Sequence, residues 1–171
     1  MVKKRYSCRR YIDKEVENSL IDQIIEAGRL APSACNKQPW RFAVVKDKEK
    51  REKIVKEGFL FGINMEWALK APVFIVIGEK KDFFTHKLAP VVSGIDYSLI
   101  DIGIVGEHIV LQATELGLQS CWIGWINSEV VRKIVDWPKM IKPVVIITVG
   151  YGKEEGKSKK RLSKEELVKY L

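Results

Sequence analysis

One segment restricts the fold more than any other. From Gly94 to Leu118, the residues Ile95, Leu99, Ile102, Val105, Ile109, Val110, Ala113 and Leu116 recur at helical spacing. They occupy much of the circumference of one long helix, which therefore has to be covered on several sides. Asp96, Asp101, Glu107, His108, Gln112 and Glu115 interrupt the run, so it does not read as a membrane span. Gly94, Gly103 and Gly106 each lower intrinsic helicity by about 1 kcal/mol. A glycine kept in a helix at that cost often permits close backbone approach. A second helix is expected to cross there, from the same chain or from another subunit.

Shorter elements surround it. Leu20, Ile21, Ile24, Ile25, Ala27 and Leu30 have helical period, Ser19 and Asp22 have the form of a capping box, and Pro32 ends the helix. Arg41–Val45 reads as a strand, Asp47–Lys56 as a charged helix capped by Asp47, and Asn64–Lys70 as a short helical stretch. Val73–Ile77 is apolar at every position, as a central strand buried on both faces would be. Ser120–Ile123 and Val144–Val149 read as strands and Ser128–Val135 as a helix, while Glu79–Ser93 has no period. The interleaving lacks uniform strand–helix–strand crossovers. An α+β fold with a mixed sheet, one domain spanning 1–171, is the expectation.

Composition narrows the function classes. The chain has 171 residues, 46% apolar and 30% charged, values of an ordinary globular protein. Its basic start is not followed by an apolar stretch and cleavage site, so no signal peptide is read and a cytoplasmic location is expected. Cys8, Cys35 and Cys121 are widely spaced and only His86 and His108 are present, so no metal site is expected. The net charge of +8 admits a polyanion, but the basic residues gather at Lys3–Arg10 and Lys153–Lys164. Two basic ends that converge suit one small phosphate group better than a nucleic-acid backbone. Dinucleotide and P-loop motifs fail: Tyr151 stands where Gly156-Lys-Ser158 would need a glycine, and the third glycine after Gly150-Tyr-Gly152 falls one position late.

Four segments carry chemistry. Arg5-Tyr-Ser-Cys-Arg9 places guanidiniums and a hydroxyl on one side of an extended strand, a good match for phosphate oxygens. Ala31-Pro-Ser-Ala-Cys-Asn-Lys-Gln-Pro-Trp40 displays Ser33, Asn36 and Gln38 between two prolines. These can read the hydrogen-bonding edge of a flat heterocycle, whereas Trp40 reads as core. Glu115-Leu-Gly-Leu-Gln-Ser-Cys-Trp-Ile-Gly124 offers Gly117 as a helix C-cap and Gly124 for close backbone approach. Val149-Gly-Tyr-Gly152 is followed by Lys159-Lys-Arg161. Together these segments resemble the FMN-dependent nitroreductase family, from about Lys4 to Leu162.

That resemblance implies a nitroreductase-like fold: a mixed, mainly antiparallel sheet flanked by helices, in a homodimer with a long buried central helix. It implies tightly bound FMN, with NADH or NADPH as a transient donor and a nitroaromatic or quinone as acceptor. By the same resemblance Arg5, Tyr6, Ser7, Arg9, Lys159 and Arg161 serve the phosphate and ribityl chain. Ser33, Asn36, Gln38, Asn64, Ile123 and Gly124 serve the ring. No protein side chain is assigned as acid, base or nucleophile, and neither nucleic acid nor membrane is an expected partner. Flavin storage without turnover, dehalogenation and flavin cleavage are the alternatives.

Overall fold

The apolar run beginning at Val73 lies at the centre of the sheet. A computed structural model describes residues 2–80, 91, 94–154, 156 and 160–171. Four strands, β1 (Trp40–Val45), β2 (Val73–Lys80), β3 (Gln119–Ile123) and β4 (Ile141–Gly150), lie in the order β1-β2-β4-β3. Each neighbouring pair is antiparallel. A parallel bridge between Ser7 and Ser120 beside β3 makes the arrangement mixed.

Alternation along the strands builds two cores. Val73, Ile75 and Ile77 join Val145, Ile147 and Val149 on one face, under α1 (Asn18–Arg29) and the long helix. Phe74, Val76 and Ile146 face the other way, toward Met65, Ala68, Val131 and Ile134. Successive side chains of a strand point to opposite faces, so β2 can be apolar throughout only because both faces are covered.

α1 begins at Asn18 after an extended Glu17, with no side-chain cap; the Ser19–Asp22 capping box expected from sequence does not form. Asp47 does cap α2 (Lys48–Lys53), its Oδ1 accepting the Lys50 amide at 2.7 Å. The chain then widens into a single π turn over Ile54–Gly58. Asn64 accepts the Glu66 amide at 2.9 Å ahead of a 3₁₀ turn, Glu66–Lys70.

The long helix is α3, Tyr97–Glu115. Gly94, at φ +70°, precedes it, and Gly117, at φ +75°, ends it as the sequence predicts. α1 does cross α3, but the glycine that permits the approach is Gly28, whose added Cβ would lie 2.9 Å from Ile109. Gly106 instead makes room for the Trp122 ring, and an added Cβ at Gly103 would meet nothing within 4 Å. α4 (Ser128–Ile134) and α5 (Lys164–Leu167) complete the helices among the described residues. None of these is long and apolar enough to cross a membrane.

The N-terminal segment is stitched to the sheet. Cys8 donates its amide to Ser120 O at 2.9 Å, Ile12 to Tyr151 O at 2.9 Å, and Lys153 back to Arg10 O at 2.9 Å. Beneath it the buried Tyr11 hydroxyl lies 2.8 Å from Thr148 Oγ1. Burial, opposed by that hydrogen bond, raises the Tyr11 phenol above its ordinary pKa. The N-terminal segment and the stretch after β4 thus meet at the β3 edge, as far as Gly156, where an added Cβ would strike the Tyr6 ring.

Candidate functional site

The residues expected at a cofactor fall into two groups. The first gathers at the β3 edge. Cys8 and Tyr11 turn inward, while Arg5 and Ser7 are half-buried and Arg9 is exposed. The Arg9 guanidinium rests over the Trp67 ring, 5.9 Å from its centroid, a contact that restrains a long side chain without consuming its donors. Arg5 Nε is 3.8 Å from Glu107 Oε1 on α3, so part of its charge is already answered. Tyr6 donates its hydroxyl to the Glu154 carbonyl, and Arg10 pairs with the Glu154 carboxylate at 2.8 Å.

Ile123 ends β3 and Gly124 follows it, at the other end of that edge strand from the Ser7–Ser120 bridge. Leu60 donates to Trp125 O at 3.1 Å and Trp125 Nε1 donates to Phe61 O at 3.0 Å. Those bonds carry the segment leading to Asn64 toward Gly124. An added Cβ at Gly124 would meet nothing within 4 Å, which leaves that stretch of backbone open to approach.

The second group lies ahead of β1. Cys35, Asn36 and Gln38 all have positive φ, 50°, 53° and 49°, a conformation costing non-glycine residues roughly 1 kcal/mol or more each. Local hydrogen bonds hold them there. Ser33 Oγ accepts the Gln38 amide at 2.9 Å, and Gln38 Nε2 donates to Asn36 O and Oδ1 at 3.1 and 3.0 Å. Lys80 anchors the far end by donating to Pro39 O at 2.7 Å. Asn36 and Gln38 are exposed, so a donor on one and an acceptor on the other remain for a ligand's polar edge. Trp40 is buried core, as expected.

Sequence reasoning passed over Asp101. It reads as one of several charges interrupting an apolar helix, yet it is 2% exposed. Its Oδ1 accepts the Ala34 amide at 3.0 Å. Its Oδ2 is buried with no hydrogen-bond partner among the described residues. Burial raises its pKa, with the Ala34 hydrogen bond opposing. The signal available in sequence was only the position of an aspartate among buried positions of α3.

β1 and β3 are opposite edges of the sheet, with β2 and β4 between them. The β1 start and the β3 end point the same way. Three inter-strand spacings separate those edges by roughly 14 Å. Ile123–Gly124 and the Pro-Ser loop therefore lie toward one end of the sheet but not at one point, whereas Ser7, paired with Ser120 near the start of β3, lies toward the other end. Arg161 is exposed and, among the described residues, donates to its neighbour Lys160 O at 3.4 Å. Lys159 lies outside the described residues, as do positions 81–90, 92 and 93 of the segment read as a loop; Glu79 and Lys80 belong to β2.

The model of the Nitroreductase family matches residues 2–59 and 61–151. The chain is a member of that family. An Archaeoglobus fulgidus protein provisionally named NADH dehydrogenase/NAD(P)H nitroreductase is 31% identical, over 91% of this chain and 85% of its own length. An FMN reductase [NAD(P)H] of Bacillus subtilis is 31% identical over 93% of this chain and 67% of its own. The solved structure of an FMN-dependent nitroreductase from Clostridium difficile superposes with a TM-score of 0.79 at 32% identity, covering 98% of this chain and 95% of the other. The layered sheet and central α3 are thus a nitroreductase fold, and the family makes the chain an oxidoreductase.

Proposed function

We propose that this chain binds FMN and, as a homodimer, passes a hydride from NADH or NADPH to a small oxidised acceptor such as a nitroaromatic or quinone. The observation that carries this reading is the N-terminal cationic segment, pinned by hydrogen bonds to Ser120 of β3 and to Tyr151 after β4, on the strand that ends in the open Ile123–Gly124 backbone, with Arg9 held over Trp67. The names of the Bacillus and Clostridium relatives support the cofactor.

The donor set fits the group. Arg5, Ser7 and Arg9, with Lys159 and Arg161, supply cations and a hydroxyl for a phosphate and ribityl chain. Ser33 braces the loop on which Asn36 and Gln38 present a donor and an acceptor to the ring edge. Asn64 and the Ile123–Gly124 backbone serve the ring from the β3 side. When bound, FMN supplies the two-electron redox chemistry, so no side chain need act as acid or base. The residues bind, orient and shield; one face used in turn by donor and acceptor gives ping-pong kinetics.

The homodimer accounts for surfaces that a single chain leaves open. Leu99 and Ile100 on α3 are about half exposed, at 52% and 49%. Leu162, Leu167, Tyr170 and Leu171 are exposed at the chain end. A second copy would cover such apolar surface. It would also bring a Pro-Ser loop from one subunit to the β3 edge of the other, closing a site whose halves are separated within one chain. Three free cysteines fit a reducing cytoplasm.

The test is spectroscopic. Purified protein, or protein reconstituted with FMN, is expected to be yellow, and to bleach on anaerobic addition of NADH or NADPH. Arg9→Ala and Arg161→Ala are expected to weaken FMN retention. A protein that never binds FMN refutes the proposal. One that binds without bleaching by either nucleotide reduces it to flavin storage.

A further inference from the structure

A buried carboxylate that uses only one of its oxygens is an unfavourable thing for a chain to keep. Desolvation disfavours the charge, and an unpaired buried acceptor forfeits the hydrogen bond that water would give. Asp101 is such a group, and its one bond goes to the amide of Ala34. That amide opens the stretch in which Cys35, Asn36 and Gln38 hold left-handed backbone without a glycine among them. The loop is braced inside by Ser33 on Gln38 and tied at its far end through Pro39 to Lys80. The bond to α3 is the near-end tie, and it comes from the most deeply buried helix of the fold.

We propose that Asp101 is a positioning residue: by holding the Ala34 amide from α3 it fixes the strained 33–38 loop in the conformation that presents Asn36 and Gln38 to the cofactor ring. This rests on the FMN reading above and extends it to a residue that would not touch the cofactor. The carboxylate is retained because a fixed loop binds more tightly than one ordered only on binding. Its second oxygen is buried with no hydrogen-bond partner among the described residues, a cost that the placement of the loop offsets.

The experiment compares FMN with riboflavin, which shares the ring and lacks the phosphate, in wild type, Asp101→Ala, Asp101→Asn and Arg9→Ala. Dissociation constants come from flavin fluorescence quenching, and amide hydrogen exchange is followed across residues 33–38 in the cofactor-free proteins. Asp101→Ala is expected to weaken both ligands by the same factor, about tenfold or more, and to speed loop exchange. Asp101→Asn keeps an oxygen for the Ala34 amide and should recover most of the affinity. Arg9→Ala should lose FMN affinity selectively. If Asp101→Ala does not fold, Asp101→Ser, whose hydroxyl is too short to reach Ala34, replaces it with the same expectation.

Unchanged affinity for both ligands in the Ala or Ser variant overturns the inference, as does a loss confined to FMN. Wild-type protein that binds neither ligand overturns the FMN reading itself.

Discussion

Gly106→Ala tests whether α3 is placed by the shape of the sheet beneath it. A methyl built on Gly106 lies 2.1 Å from the Trp122 ring edge, with two more ring atoms at 2.7 and 2.9 Å. Carbon atoms settle near 3.5 Å, so the ring or the helix has to retreat by roughly 1.4 Å. Trp122 is half-buried in β3 and packed on the α1–α3 core, which limits how far it can swing. Overpacking of this severity costs about 3 kcal/mol, at the upper end of its usual range. Replacing glycine by alanine within a helix returns about 1 kcal/mol. The net loss of about 2 kcal/mol corresponds to a melting temperature lower by roughly 4–8 °C in a domain of this size. Gly103→Ala is the control, because its methyl meets nothing within 4 Å in the single chain. It isolates the propensity gain, about 1 kcal/mol, unless a second subunit packs at that position. Melts followed by circular dichroism on cofactor-free protein at matched concentration make the comparison. A Gly106→Ala protein that melts at or above wild type refutes the packing argument.

Two further outcomes follow from the buried polar groups. Tyr11→Phe removes the hydroxyl bonded to Thr148 and is expected to lower stability by about 1 kcal/mol, a melting shift of roughly 2–4 °C; an unchanged melt would show that the N-terminal segment is held without it. Asp101 has a raised pKa, so the folded chain binds its proton more tightly than the unfolded chain does. Stability therefore falls as pH rises from the ordinary aspartate value through the raised one, and Asp101→Asn removes that dependence. The melting temperature of Asp101→Asn relative to wild type is expected to climb as the pH rises above the ordinary aspartate value, about 4; a difference that stays flat or shrinks contradicts the sign.

The layers of this fold were legible because apolar periodicity is a local signal. Val73–Ile77 has no polar face, and a core indeed covers it on each side of the sheet. Gly117 ends α3, and Asp47 caps α2, for reasons contained within a few residues of each. The failures have a common cause. Ser19 and Asp22 have the right spacing for a capping box, but the helix starts at Asn18, so neither stands at its N-cap. The partner of Asp101 is 67 positions away, so nothing in α3 distinguishes it from a solvent-facing charge. Gly106 advertises a close approach, yet only the fold reveals that a tryptophan makes it. In the 35–38 loop the residue types permit left-handed backbone without requiring it, and the hydrogen bonds that select it come partly from α3.

The separation of the site residues sets the last test. Arg9 belongs to the β3 edge and Asn36 to the loop before β1, with two strands between those edges. If one chain closed its own flavin site, each subunit carrying either lesion would be defective, and mixing Arg9→Ala chains with Asn36→Ala chains could restore nothing. If each site draws its phosphate group from one subunit and its loop from the partner, a mixed dimer has one site with both lesions and one with neither. Random pairing makes half of the dimers mixed, so about a quarter of all sites should regain tight FMN binding and NAD(P)H-dependent bleaching after the two variants are refolded together. Each variant refolded alone should gain nothing. Absence of recovery, with mixed dimers verified by a tag on one chain, would place all the residues of a site in a single subunit and break the link drawn between the open apolar surfaces and the chemistry.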